Sequence, residues 1–200
     1  MSLTVLPLVS ERKEEKFDVF KTLLETLEKN DEKLQDGDVI VISTKYISNS
    51  QGRLVELNSV KASKDGTEIS KKFQMRAEVA EIILRESDKI FGGISGFVIT
   101  SADNIMAPNA GIDKSNAKKG KIILYPKNPY IIAEQIRRKI FLKFLIHVGI
   151  ILVDSRLMPS RIGTSGVAIR DGISLLSTRI IPTWIKNFKK IFLLICSAMM

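Results

Sequence analysis

A chain of 200 residues with 44% apolar content can bury a core as one domain or two small ones, and its single cysteine, Cys196, excludes an internal disulfide framework. The net charge of +9, from 31 Lys and Arg against 22 Asp and Glu, admits nucleic acid, anionic lipid or a polyanionic small substrate as partner. Aromatics at only 6%, scattered lysines and the lack of any helix-turn-helix, zinc-finger or RNA-recognition signature argue against nucleic acid. With no signal peptide and no uninterrupted apolar run of about 18 residues, the chain reads as cytoplasmic.

In chain order, residues 3–8 (LTVLPL) read as a short strand. Phe17, Phe20, Leu23, Leu24 and Leu27 recur at helical spacing and predict an amphipathic helix over 16–29. The turn Asp36-Gly37-Asp38 precedes Val39-Ile40-Val41-Ile42, a β-branched run that suits a buried strand ending at Ser43-Thr44-Lys45. Gly52 precedes the strand RLVEL, residues 55–70 look loop-like, and a second amphipathic helix is expected over about 70–87. Gly92-Gly93 breaks the pattern before the strand GFVIT at 96–100, and the loop NAGIDKSNAKKG leads to the strand KIILYP. Asn128-Pro129 signals a helix start, with Asn as N-cap, and Ile132, Ile136 and Ile140 share a face of that helix. HVGIILV (147–153) is a buried strand that stops at Asp154, and RIGTSGVAI holds a glycine-spaced loop and one more strand. Strands and helices mix without strict βαβ alternation or internal repeat. The expected class is α+β, a mixed sheet with flanking amphipathic helices.

Three segments put polar groups where a buried strand meets a loop. Ser43-Thr44-Lys45 offers a hydroxyl and an ammonium that can hold phosphate oxygens, or an ordinary strand-to-turn cap. In NAGIDKSN, residues 109–116, Gly111 permits a tight backbone while Asp113, Ser115 and Asn116 offer oxygen and amide groups. Hard cations such as magnesium or manganese take such carboxylates together with phosphate, although an Asx-turn would look the same. Asp154-Ser155 follows seven mostly apolar residues, where a carboxylate is costly unless a cation or donor meets it. Arg156 and Arg161 lie close behind and can meet phosphate or substrate carboxylate bidentately. Asp113 and Asp154 are therefore expected in one metal-and-phosphate site. The only histidine, His147, has no Cys or His at ligand spacing, and GTSG (163–166) lacks the Lys and further glycines of a phosphate loop.

Taken together, STKYISNSQGR, NAGIDKSN, VGIILVDS and RIGTSGVAI occur in one order, and over residues 3–169 they resemble the coenzyme F-420-0:L-glutamate ligase family. The segments AEIILRES and KNPYIIAEQIR fit as well. The resemblance implies GTP-dependent addition of L-glutamate, through a γ-linkage and an acyl phosphate, to a deazaflavin cofactor. It implies Asp113, Asp154 and Ser155 at divalent metal (Mg or Mn), and Thr44, Lys45, Asn49 and Asn116 at GTP, with a monovalent cation besides. It implies as partners GTP, L-glutamate, coenzyme F-420-0 and a second copy of the chain in a homodimer.

Two departures stand out. The family often has a lysine where this chain has Asn49, and the resemblance stops after Ile169, where a KDLYG-like segment and a Met-Gly-Glu loop would follow. Residues 1–169 then read as an incomplete ligase-like domain and 170–200 as a divergent tail. In that tail Trp184, Ile185, Phe188, Ile191, Phe192 and Ile195 share a helical face flanked by Lys186, Lys189 and Lys190. Such a basic amphipathic helix suits a core, a subunit interface or a membrane surface, and a shifted reading frame or truncated gene product gives the same pattern. The competing functions are a nucleotide- and metal-binding remnant without turnover and a basic membrane-surface interaction protein.

Overall fold

The computed structural model describes residues 4–11, 13, 15–113, 120–157, 164–171 and 190–196. Its centre is a five-stranded sheet in the order β1 (Thr4–Ser10), β10 (Lys190–Cys196), β2 (Val39–Ser43), β8 (Gly149–Leu157) and β9 (Thr164–Asp171). The first four run parallel, and β9 closes the edge antiparallel to β8. The fold is α+β, a mixed sheet with flanking helices.

Parallel register lines up Leu6, Phe192, Ile40 and Ile150 in one row and Leu8, Leu194, Ile42 and Leu152 in the next. Because side chains alternate along a strand, these rows share one face, and α1 (Val19–Lys29) and α5 (Pro129–Phe144) help to bury it. Helix α1 turns Val19, Leu23 and Leu27 inward, and Asp18 caps it by accepting from the Lys21 backbone N–H at 3.0 Å. Helix α5 contributes Ala133, Ile136 and Ile140. A second core joins α4 (Ala77–Glu86) to the antiparallel pair β3 (Leu54–Glu56) and β7 (Lys121–Ile123), through Val79, Ile82, Ile83, Ile122 and Leu124. Strands β4 (Lys89–Ile94), β5 (Phe97–Ala102) and β6 (Ile105–Met106) form a three-stranded antiparallel sheet.

Several expectations need correction. Thr44–Ser50 is helix α2 rather than a cap into a turn, seated by the buried Tyr46 and Ile47. The loop expected over 55–70 contains α3 (Lys64–Lys72), whose N-cap Ser63 accepts from the Gly66 N–H. The single helix expected over 70–87 is thus two, parted where Gln74 takes a φ of 49°. Gly92-Gly93 does not break the chain but lies within β4, beside a bulge between Ile90 and Gly92. Asn128 precedes α5 as expected, yet its φ of 49° is left-handed and its side chain makes no capping hydrogen bond.

The largest differences concern β8 and the tail. β8 does not stop at Asp154: its ladder with β2 ends at Val153, but the β9 hairpin carries it on to Leu157. In the tail, Lys190–Cys196 is not helical but fills the slot between β1 and β2, with Phe192 and Leu194 buried. Six successive apolar residues from Ile191 satisfy strand and helix spacing alike, and the open edges of two parallel strands decide for the strand. The remainder of the proposed tail helix, 184–189, lies outside the described residues. Among the described residues no helix is long and apolar enough to cross a membrane.

Candidate metal and nucleotide site

The site forms at the C-terminal end of the parallel strands. Ser43 of β2 pairs with Val153 of β8, so the next residues of each chain segment, Thr44 and Asp154, emerge side by side. Thr44 donates its hydroxyl to Asp154 Oδ1 at 3.1 Å and is itself buried. The following residue, Lys45, forms an ion pair with Asp113 Oδ2. Two consecutive residues at the start of α2 therefore hold the two carboxylates that the sequence singled out. The side chains of Lys45 and Asp113 are only 20% and 25% exposed, so the pair is shielded from bulk water. Asp113 and Asp154 each have a further interaction besides these.

Asp113 follows a loop tied down by hydrogen bonds. Asn109, Ala110 and Gly111 take successive φ values of 50°, 55° and 67°, a left-handed run that is rare outside glycine. Neighbouring contacts hold that backbone. Asn109 Oδ1 accepts from the Val98 N–H at 2.8 Å, and Thr100 Oγ1 accepts from the Ala110 N–H at 2.8 Å while donating to the Ala107 carbonyl. A Cβ on Gly111 would lie 2.7 Å from Cδ2 of the buried Tyr125, so this position needs glycine for space as well as for φ. Asp113 then exchanges backbone hydrogen bonds with Ile123, N–H to carbonyl at 2.8 Å and back at 3.0 Å. Arg53 braces the same strip, donating Nε to the Tyr125 carbonyl at 3.0 Å and pairing with Glu86.

Of the other residues expected here, Asn49 lies one turn beyond Lys45 on α2, with its side-chain oxygen buried and without a hydrogen-bond partner among the described residues. Ser155 is exposed on β8, in register with Gly166. Asn116, Ser115 and Arg161 lie outside the described residues. Sequence reading did not single out Thr100, Asn109 or Tyr125. Asn109 alone left a trace, as a residue tolerant of left-handed backbone ahead of a glycine.

The donors brought together are hard oxygens, the carboxylates of Asp113 and Asp154 and the hydroxyl of Thr44. Among the described residues no three His, Cys, Asp or Glu side chains converge into a protein-only cage. Magnesium and manganese are commonly held by one or two carboxylates plus substrate phosphates, so the donor set fits a divalent ion bound together with a nucleotide. It does not suit zinc, which prefers imidazole and thiolate.

The model of the family described as F420-0:Gamma-glutamyl ligase matches residues 10–180. The chain belongs to this family. Among curated members of the F420 ligase family, it is 32% identical over 148 residues to the coenzyme F420:L-glutamate ligase of Methanopyrus kandleri, covering 73% of this chain and 59% of that protein. It is 37% identical over 137 residues to the enzyme of that name from Methanocaldococcus jannaschii, covering 68% of this chain and 55% of the relative. With the Methanothermobacter thermautotrophicus protein of the same name it shares 30% identity over 168 residues, covering 84% and 64%. The chain thus spans a little over half to just under two thirds of the length of these relatives. The family match runs through Ile169 and β9 to residue 180, past the point where the sequence motifs cease to resemble the family.

Proposed function

We propose that this chain carries the metal and nucleotide site of a GTP-dependent ligase that joins L-glutamate to coenzyme F-420-0. The observation that carries this reading is the double pairing of Thr44 with Asp154 and Lys45 with Asp113, which gathers acid, hydroxyl and ammonium groups at the strand ends. Family membership supports it. In the proposed reaction, a carboxylate oxygen of the acceptor attacks the γ-phosphorus of GTP, and GDP leaves. The glutamate amine then attacks the resulting acyl phosphate, loses a proton, and expels phosphate as the amide forms; a γ-linkage arises where the activated carboxyl is that of a glutamate side chain.

In this reading Asp113, Asp154 and Ser155 hold magnesium or manganese, whose charge neutralises the phosphates and the developing charge of phosphoryl transfer. Thr44, Lys45, Asn49 and Asn116 meet GTP, and Arg161 meets phosphate or substrate carboxylate. The excess of positive charge suits three anionic reactants. A cytoplasmic homodimer using a monovalent cation as well completes the proposal. The alternative of a membrane-surface protein draws on the net charge and an apolar helical face, and three residues of that face, Ile191, Phe192 and Ile195, lie in strand β10, with Phe192 buried.

Incubation with GTP, manganese, L-glutamate and coenzyme F-420-0 should give a cofactor heavier by glutamyl units, with GDP released in equal amount. No mass gain, with a longer relative active in parallel, rejects turnover by this chain. Calorimetric binding of GDP with manganese that disappears in Asp113→Ala would then identify a binding site without turnover.

A further inference from the structure

The Lys45–Asp113 ion pair occupies the place that the proposed function gives to a divalent ion. We propose that Lys45 is the resident counter-ion of Asp113, that a divalent ion binds only by displacing it, and that the released ammonium passes to the nucleotide phosphates. Metal and nucleotide would then bind cooperatively through the movement of one side chain. This inference rests on the metal and nucleotide reading of the site and adds to it an order of exchange.

Three observations carry it. First, a shielded carboxylate is costly without a cation, and Lys45 supplies one in the absence of metal. A divalent ion and an ammonium on the same carboxylate repel each other, so joint occupancy is disfavoured. Second, the two partners differ in freedom. Asp113 is fixed by its two backbone hydrogen bonds to Ile123 and by Gly111 packed on Tyr125. Lys45 carries its charge on a flexible four-carbon stem, so Lys45 is the partner that moves. Third, a second seat exists. Asn49, four residues on and on the same helix face, buries a side-chain oxygen that has no hydrogen-bond partner among the described residues and can accept from the displaced ammonium on its way to phosphate.

By thermodynamic reciprocity, a nucleotide that captures Lys45 must raise the affinity for metal by the factor by which metal raises the affinity for nucleotide. The test is the binding of Mn2+, followed by the electron paramagnetic resonance of the free ion, with and without GDP. The proteins are wild type, Lys45→Met, Lys45→Arg and Asp113→Asn, with circular dichroism confirming that each is folded. Without nucleotide, Lys45→Met should bind Mn2+ about tenfold more tightly than wild type, whereas Lys45→Arg, which keeps the charge, should not gain. GDP should tighten Mn2+ binding in wild type and much less in Lys45→Met. Lys45→Gln serves in place of Lys45→Met should the latter not fold. Equal or weaker Mn2+ binding by the neutral variant without nucleotide overturns the exchange while leaving the metal site standing. Mn2+ bound by neither wild type nor the neutral variant, or bound equally by Asp113→Asn, overturns the metal reading itself.

Discussion

Gly111 concentrates the demands of the site on one residue. It needs a left-handed backbone, and its α-carbon lies so close to the Tyr125 ring that a methyl group would overlap it. Gly111→Ala should therefore cost about 2–4 kcal/mol, combining left-handed strain with overpacking of a buried ring. Urea unfolding measures the loss, and a change below about 0.5 kcal/mol would contradict this geometry. The same substitution should weaken Mn2+ binding, because Asp113 follows two residues later on the displaced backbone. At this scale the sequence was partly legible. Asp113 and Asp154 stand out by type and place, since a carboxylate after an apolar run needs a partner, and the structure sets Lys45 and Thr44 against them. The partners themselves were not legible, because Lys45 meets Asp113 only through the folded placement of α2 against the loop before β7.

Among the elements, the contact of α3 with α4 is the clearest device. Glycine inside a helix costs up to about 1 kcal/mol, yet Gly66 sits in α3, because a Cβ there would come within 2.3 Å of Glu81 Oε2 and 3.2 Å of its Cα. Glu81, 4% exposed, accepts from the Ser63 hydroxyl at 2.6 Å and the Ser63 N–H at 2.8 Å, and pairs with Arg85 at 2.7 Å. The Ser63 hydroxyl above all, then the Ser63 N–H, with Arg85 adding to both, holds the Glu81 carboxyl below its ordinary value of 4.5. A depressed folded value means the stabilisation is complete above the unfolded value and is lost as pH falls below it, through the folded value. Glu81→Gln should lower stability at neutral pH by about 1–3 kcal/mol and flatten the acid side of the stability curve. An acid limb as steep as that of wild type would sink the assignment. Helix α3 was not legible because its exposed, lysine-rich sequence has little apolar periodicity, and its place depends on Ser63 and Gly66 meeting Glu81. By contrast, α1 and the VIVI strand were legible because periodicity and β-branching act locally.

For the molecule as a whole, the central sheet depends on a strand drawn from far along the chain. Phe192 is fully buried in the row it shares with Leu6 of β1 and Ile40 of β2, so Phe192→Ala should cost about 3–5 kcal/mol and lower the cooperativity of thermal unfolding. Calorimetry that finds the transition unmoved would mean that β10 is not part of the cooperative core. The overall class was legible, since mixed strands and amphipathic helices without strict alternation imply α+β. The tail was not, because its continuous apolar run gives no period that separates helix from strand, and the vacancy it fills is a property of the assembled sheet. That order of assembly matters during synthesis. From the time Ser43 leaves the ribosome until Cys196 has been made, roughly ten to thirty seconds at ordinary elongation rates, β1 and β2 each hold out an unpaired parallel edge. The nascent chain must wait through that interval with its central seam open, while the two sheets built from β3 to β7 already have all their strands in hand.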